Sequence, residues 1–259
     1  MIDLHCHLLP GIDDGASDMD ASIAMARVAV EAGVDAIVAT PHISGEYRND
    51  PATLARRCSE VQAALDGAAV PLRVYTGAEI AQSMLGDLGE DALRACALGG
   101  GKYLLLEGPF NGPAPFIDRM VYDLQLKGFQ VLLAHPERIG AFQQNIELLQ
   151  KLVDQGALCS VTADSVSGQF GGQVRRFTRE LFARGLVHNL ASDAHDAVHR
   201  SPALRPSLDN AVAELPELEH SLGWLTIEVP QAILAGEPIR GVPPVIEPKR
   251  GLLGRLRRG

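Results

Sequence analysis

Cysteine is scarce in this chain. There are four, Cys6, Cys58, Cys96 and Cys159, and no CxxC pair among them. Such scattered thiols disfavour a cysteine-type structural zinc site and fit a reducing, cytoplasmic setting, with Cys6 and Cys159 buried as small apolar residues. No apolar run reaches about 18 residues, so no transmembrane span is expected. No basic segment followed by an apolar core opens the chain, so no signal peptide is expected. Positive charge is in deficit: 23 Lys and Arg face 32 Asp and Glu, for a net charge of −9. That balance argues against general nucleic-acid binding. Lysine itself is reduced to Lys102, Lys127, Lys151 and Lys249. No internal repeat, long linker or low-complexity segment interrupts the chain before its C-terminal tail.

The charge that is present is uneven. Residues 249–259 hold Lys249, Arg250, Arg255, Arg257 and Arg258 and no acid, behind Pro243, Pro244 and Pro248. Residues 241–259 therefore read as a Pro/Gly-rich basic tail, either solvated or docking on an acidic protein or membrane surface. Residues 1–240 read as one domain, since 259 residues is an ordinary length for a single α/β barrel. Hydrophobic residues make up 46% of the chain, enough for a large core.

Seven short apolar runs alternate with stretches of helical spacing. The strands expected are 1–4, 34–39, 72–76, 103–106, 129–134, 157–162 and 186–191. Helices are expected over 21–32, 53–65, 84–98, 116–127, 145–155 and 174–184, with a helical C-terminal part carrying Pro-rich joints. Near-continuous apolar strands are buried on both faces, which indicates a parallel sheet with enough strands to close a barrel.

The residues that end these runs are unusual. His5 and His7 end the first, with alternation placing them on one face and Cys6 on the other. His42 ends the second, Glu79 the third, Glu107 the fourth, His135 the fifth, and Asp193 and His195 the seventh. Asp14 sits in the first loop, which Pro10, Gly11 and Gly15 punctuate. The sixth offers Asp164 a little later. In a parallel barrel these ends converge on one mouth. Nine imidazole and carboxylate groups are costly to bury together unless cations balance them. Without thiolates, the set suits two or three ions of Mn²⁺, Fe²⁺, Zn²⁺ or Mg²⁺, as in hydrolysis of phosphate esters. Arg138 and Arg200, three and five residues after His135 and His195, are candidates for binding phosphate. Asp13 reads as a turn or supporting group. His188 reads as a satisfied barrel residue, and His199 and His220 as surface residues.

The segments 3–15, 39–42, 77–79, 106–107, 134–138, 162–171 and 191–195 together resemble the PHP (polymerase and histidinol phosphatase) domain family. More narrowly, they resemble its manganese-dependent bacterial protein-tyrosine phosphatases, the CpsB/YwqE type, over residues 1 to about 235. The resemblance implies a distorted (βα)₇ TIM-like barrel with a trinuclear centre. It implies one ion at His5, His7, Glu79 and Asp193, one at Glu79, Glu107 and His135, and one at Asp14, His42 and His195. It implies phosphate-handling roles for Arg138 and Arg200. It also implies Mn²⁺ as the metal and, as partner, a phosphotyrosine-bearing bacterial tyrosine kinase that regulates capsule or exopolysaccharide synthesis. Three departures stand out: Cys6 where Ser is usual, Gly108 in place of an apolar residue, and Asp164 where Gly is usual. Alternative readings are a PHP phosphoesterase for a small metabolite such as histidinol phosphate, and a metal-stabilised binding module without turnover. An amidohydrolase is disfavoured because Glu107, not a lysine, ends the fourth strand.

Overall fold

Strands buried on both faces need a helix on one side and other strands on the other. A computed structural model, which describes residues 1–247, has this arrangement. The strands are β1 (Ile2–Cys6), β2 (Ala36–Ala39), β3 (His42–Ile43), β4 (Arg73–Thr76), β5 (Glu79–Ala81), β6 (Tyr103–Glu107), β7 (Gln130–Ala134), β8 (Leu158–Thr162) and β9 (Asn189–Ala191). They form two sheets, β1-β2-β4 and β3-β5-β6-β7-β8-β9, with every pairing parallel. Asp193 N–H donates to His5 O at 2.9 Å and His7 N–H to Ala194 O at 2.8 Å, which joins β1 to the chain after β9. The ring closes as a distorted seven-stave α/β barrel with helices outside.

Two of the seven staves are broken. β2 and β3 are halves of one, and β4 and β5 halves of another. Pro41, which has no N–H to give a ladder, sits in the first joint. Gly77 sits in the second, where a Cβ would lie 2.7 Å from Val38 and 2.9 Å from Leu98. Only glycine permits that approach.

The interior has two layers. Along β6, Leu104 and Leu106 face the outer helices, while Tyr103 and Leu105 face inward. The inward residues Leu4, Val38, Leu105 and Leu132 pack with Val229 and Ile233 of the helix Val229–Ala235, which plugs the barrel floor. Glu107 is the next inward position on β6, and it stands at the mouth.

Several boundaries differ from the sequence expectation. The first strand runs to Cys6 rather than Leu4, and its register against β2 shifts between Asp3 and Cys6. A shift of that kind re-aims side chains. It leaves Leu4 in the floor, sends the adjacent His5 to the mouth, and turns Cys6 outward. The expected helix over 84–98 splits into a short turn, Gln82–Met84, and a helix, Glu90–Cys96, with Gly86 and Gly89 between. The seventh strand shortens to Asn189–Ala191, because His188 Nδ1 takes up the Cys159 N–H at 3.2 Å. All four cysteines are buried and unpaired. Within the expected tail, Ile246 is buried and its N–H donates to Phe182 O at 3.0 Å. The basic segment 249–259 lies outside the described residues. Among the described residues, no helix is long and apolar enough to cross a membrane.

Candidate metal centre

The backbone delivers the mouth residues through strained or tied turns. His135 and Asp193, just past β7 and β9, both adopt left-handed φ values, +30° and +52°. Residues other than glycine rarely do so, and where they do the surroundings hold them there. Glu137 is one such anchor. It is fully buried and accepts from Thr162 N–H at 3.0 Å and from the Ser165 hydroxyl at 2.7 Å. That pins the turn His135–Arg138 to the end of β8. Asp3 is another. Its carboxylate accepts from the backbone N–H groups of His5 and Ser192 and from the Ser192 hydroxyl. It therefore ties β1 to the chain that carries Asp193.

All nine residues that end the strands or occupy the first loop lie around one point. Glu79 is central. Its Oε1 is 2.8 Å from His135 Nε2, and its Oε2 is 3.1 Å from His42 Nδ1, 3.2 Å from His5 Nε2 and 3.4 Å from His7 Nε2. Asp193 Oδ1 is 3.4 Å from His5 Nε2, and Asp14 Oδ2 is 3.4 Å from His195 Nε2. The ligand atoms form four overlapping groups: His7, Asp14, His42 and His195; His5, His7 and Asp193; His5, Glu79 and His135; and His42, Glu79 and Glu107. Compared with the three-ion partition implied by the family resemblance, His7 joins the Asp14 group. Glu107 groups with His42, although its Oε1 is also 3.5 Å from His135 Nε2.

The charges cannot balance one another without help. Burial pushes the Glu79 carboxyl upward, but His5, His135 and His7 outweigh it and hold Glu79 well below the usual range. Burial likewise opposes Asp193, and His5, His7, His135 and Arg200 overcome it. Glu107 is the loser. Burial first, then the nearby Glu79 and Asp193 carboxylates, push it up to about 9. Burial lowers His42 to about 4 and lowers His195 as well, so both rings are neutral and able to coordinate. Glu79 Oε2, Glu107 Oε1 and His135 Nδ1 are buried with no hydrogen-bond partner among the described residues. A proton held on Glu107 and the orphaned Oε2 of Glu79 are what divalent cations would replace and satisfy. The residues present therefore fit a multinuclear metal centre.

Both arginines reach the same place. Arg138 Nη1 donates to Asp193 Oδ2 at 2.5 Å and Arg200 Nη2 to the same oxygen at 2.7 Å. They line a cavity of about 80 Å³ together with Asp14, His42, Glu79 and Glu107. Arg200 Nε is buried and has no acceptor among the described residues.

Asp13 occupies the supporting position that its loop suggested. Its Oδ2 accepts from His7 Nδ1 at 2.8 Å and from the His42 N–H at 3.0 Å, so it sets the His7 tautomer and holds the two ligands together. Asp164 lies in the first turn of the helix Ala163–Ser167 and belongs to none of the four ligand groups. Sequence reasoning missed an aromatic clamp. The guanidinium of Arg138 lies 4.9 Å from the ring centre of Phe110 and 4.5 Å from that of Phe170. Phe110 also stacks on His135, ring centres 5.2 Å apart. Phe170 lies in segment 162–171, which shares in the family resemblance, yet a lone aromatic in a loop carries no period to mark it.

Comparison with known proteins agrees with this picture. The family model "Capsular polysaccharide synthesis, CpsB/CapC" matches residues 1–231. Tyrosine-protein phosphatase YwqE of Bacillus subtilis (strain 168) is 37% identical over 257 residues, covering 98% of this chain and 99% of that protein. Putative tyrosine-protein phosphatase CapC of Staphylococcus aureus is 33% identical over 77% of this chain and 79% of its own length. A solved structure from work on YwqE and on CpsB of Streptococcus pneumoniae, described as unique metal-dependent tyrosine phosphatases, superposes with a TM-score of 0.83. It is 36% identical and covers 97% of this chain and 100% of that one. The phosphotriesterase of Mycobacterium tuberculosis, 15% identical with a TM-score of 0.51 over 90% of this chain and 93% of its own, shares the barrel fold alone.

Proposed function

The chain belongs to the CpsB/CapC family of capsular polysaccharide synthesis proteins, and from that membership we propose that it is a metal-dependent phosphomonoesterase acting on protein phosphotyrosine. Its substrate is a bacterial tyrosine kinase that governs capsule or exopolysaccharide synthesis. Its metal is Mn²⁺, with Fe²⁺, Zn²⁺ and Mg²⁺ as competitors for the same imidazole and carboxylate donors. Its setting is cytoplasmic, in keeping with four unpaired thiols.

Bound divalent cations supply an activated water at neutral pH and neutralise charge on the phosphoryl oxygens. The residues that hold them are His5, His7, Asp14, His42, Glu79, Glu107, His135, Asp193 and His195, with Glu79 shared between groups. The rest of the work falls to the chain. Arg138 and Arg200 present guanidinium N–H groups to the cavity, where they bind equatorial phosphoryl oxygens bidentately. Phe110 and Phe170 hold the Arg138 guanidinium in place. Asp193 orients both arginines through Oδ2 while leaving Oδ1 beside His5 and His7. The observation that carries the phosphate assignment is the pair of guanidinium side chains, Arg138 and Arg200, both tied to Asp193 Oδ2 and both lining the charged cavity. A tyrosine phenol, with a pKa of about 10, leaves more readily than an aliphatic alcohol.

The test is a reconstitution series. Protein stripped with a chelator is reloaded with Mn²⁺, Fe²⁺, Zn²⁺ or Mg²⁺ and assayed on a phosphotyrosyl peptide and on histidinol phosphate. Turnover of the peptide, highest with Mn²⁺, is expected. Preference for histidinol phosphate would overturn the substrate, and no turnover by any loaded form would leave a binding module.

A further inference from the structure

Beside the charged cavity lies a second cleft, of about 370 Å³. Phe110 and Glu107 belong to both. Beyond Phe110 the walls are Pro113, Phe116 and Met120, and Glu107 is the one ionisable side chain of the lining. The far wall is held in an uncomfortable shape. Phe116 adopts a left-handed φ of +60° and is 76% exposed, a costly way to place a large aromatic ring in water.

An independent observation concerns Gln82, which lines the same cleft and is 6% exposed. Its Nε2 donates to Pro115 O at 2.7 Å, so the amide cannot be turned round. Its Oε1 is left with no donor among the described residues. Buried acceptors are rarely left so. A peptide N–H lying along the cleft would satisfy it.

We propose that this cleft receives the apolar side chain next to the phosphotyrosine of a polypeptide substrate. The proposal rests on the phosphotyrosine reading and deepens it. With the phosphoryl group between Arg138 and Arg200, the phenyl ring emerges along Phe110, and the neighbouring residue reaches the apolar walls. Gln82 Oε1 accepts a backbone N–H of that segment. The lack of any cationic side chain in the lining disfavours an acidic neighbour. A small polar metabolite would leave these walls wet and Gln82 unpaired.

The test uses two phosphotyrosyl peptides that differ only in the flanking residues, Leu in one and Asp in the other, with the metal-loaded full chain. The wild type is expected to favour the Leu peptide in kcat/KM by about tenfold or more. In Met120→Lys the preference is expected to collapse or invert, with the Asp peptide gaining in absolute rate. That gain cannot come from a misfolded variant. Equal rates for both peptides in the wild type overturn the cleft while leaving the phosphatase intact. So does a Met120→Lys variant that slows both peptides equally. If neither peptide is cleaved while another phosphate ester is, the phosphotyrosine reading fails and the cleft assignment falls with it.

Discussion

The inward faces of the strands make two regions of opposite character within a few residues of each other. On β6 the step from Leu105 to Glu107 crosses from one to the other. Below, Leu4, Val38, Leu105 and Leu132 meet Val229 and Ile233 and need nothing else. Above, Glu79, Glu107, Asp193 and five imidazoles crowd together, and Glu107 can stay there only protonated. The floor is complete as folded. The mouth is complete only with cations. One barrel thus divides its stability and its chemistry between two layers of the same strands, so each layer should fail in its own way.

The largest effect expected is in the metal-free protein. Glu107 rises from an ordinary value near 4.5 to about 9 on folding. Between those limits the unfolded chain releases a proton that the folded chain keeps. The contribution of Glu107 to stability is therefore fully present below about 4.5 and is lost as pH rises toward 9, in total on the order of several kcal/mol. In Glu107→Gln this loss disappears. The Tm difference between variant and wild type, both stripped of metal, should widen from pH 5 to 9 and close when the wild type is loaded. A difference independent of pH would refute the charge imbalance at the mouth.

Leu105→Ala probes the other layer. A cavity beneath the mouth should cost about 2–5 kcal/mol of folding free energy. Metal stoichiometry at low temperature should stay at the wild-type value. Loss of bound metal in that variant, while still folded by circular dichroism, would mean that floor and mouth are not separable.

The two layers were not equally legible in the sequence. Seven apolar runs announced seven staves, because strands buried on both faces have no polar alternation to hide them. The candidate metal-holding residues were legible because all but Asp14 follow closely on a run. The breaks inside two staves were not, since Gly77 is explained only by its contacts with Val38 and Leu98. Nor was the register shift that lets Leu4 and His5, adjacent in the chain, serve floor and mouth in turn. Glu137 stands within the motif 134–138, but its partners Thr162 and Ser165 belong to another stave. Phe110 and Phe170 come from loops on different staves, and nothing local marks them as a pair around Arg138. What folds from period and spacing could be read; what depends on a partner distant in sequence could not.

Arg138→Ala and Arg200→Ala should each lower kcat on an aryl phosphate by about 10²–10³, the cost of removing one donor that acts chiefly on the transition state. Metal content should not fall, because neither guanidinium occupies a ligand group. Phe170→Leu should act in the same direction and more weakly, by loosening Arg138. Unchanged kcat in Arg138→Ala would remove the arginines from the chemistry and leave the cations to do it alone.

Asp13→Asn gives the smallest effect and tests where the mouth ends. The carboxylate accepts at both oxygens: Oδ1 from Gly15 N–H, and Oδ2 from His7 Nδ1 and His42 N–H. An amide has one oxygen, so whichever way the substituted side chain turns, its NH₂ meets an N–H donor. Turned toward Gly15, it repels that backbone; turned toward His7, it forces the ring to give up its proton on Nδ1 and take one on Nε2, the atom beside Glu79. Metal affinity should fall by about 10–100-fold, as for other groups that orient a ligand without touching the ion. With metal in excess, kcat should recover to near the wild-type value, which Asp14→Asn should not achieve because Asp14 belongs to a ligand group itself. Isothermal titration with Mn²⁺, paired with activity at rising metal concentration, separates the two. If Asp13→Asn cannot be rescued by metal, the carboxylate belongs inside the centre rather than behind it.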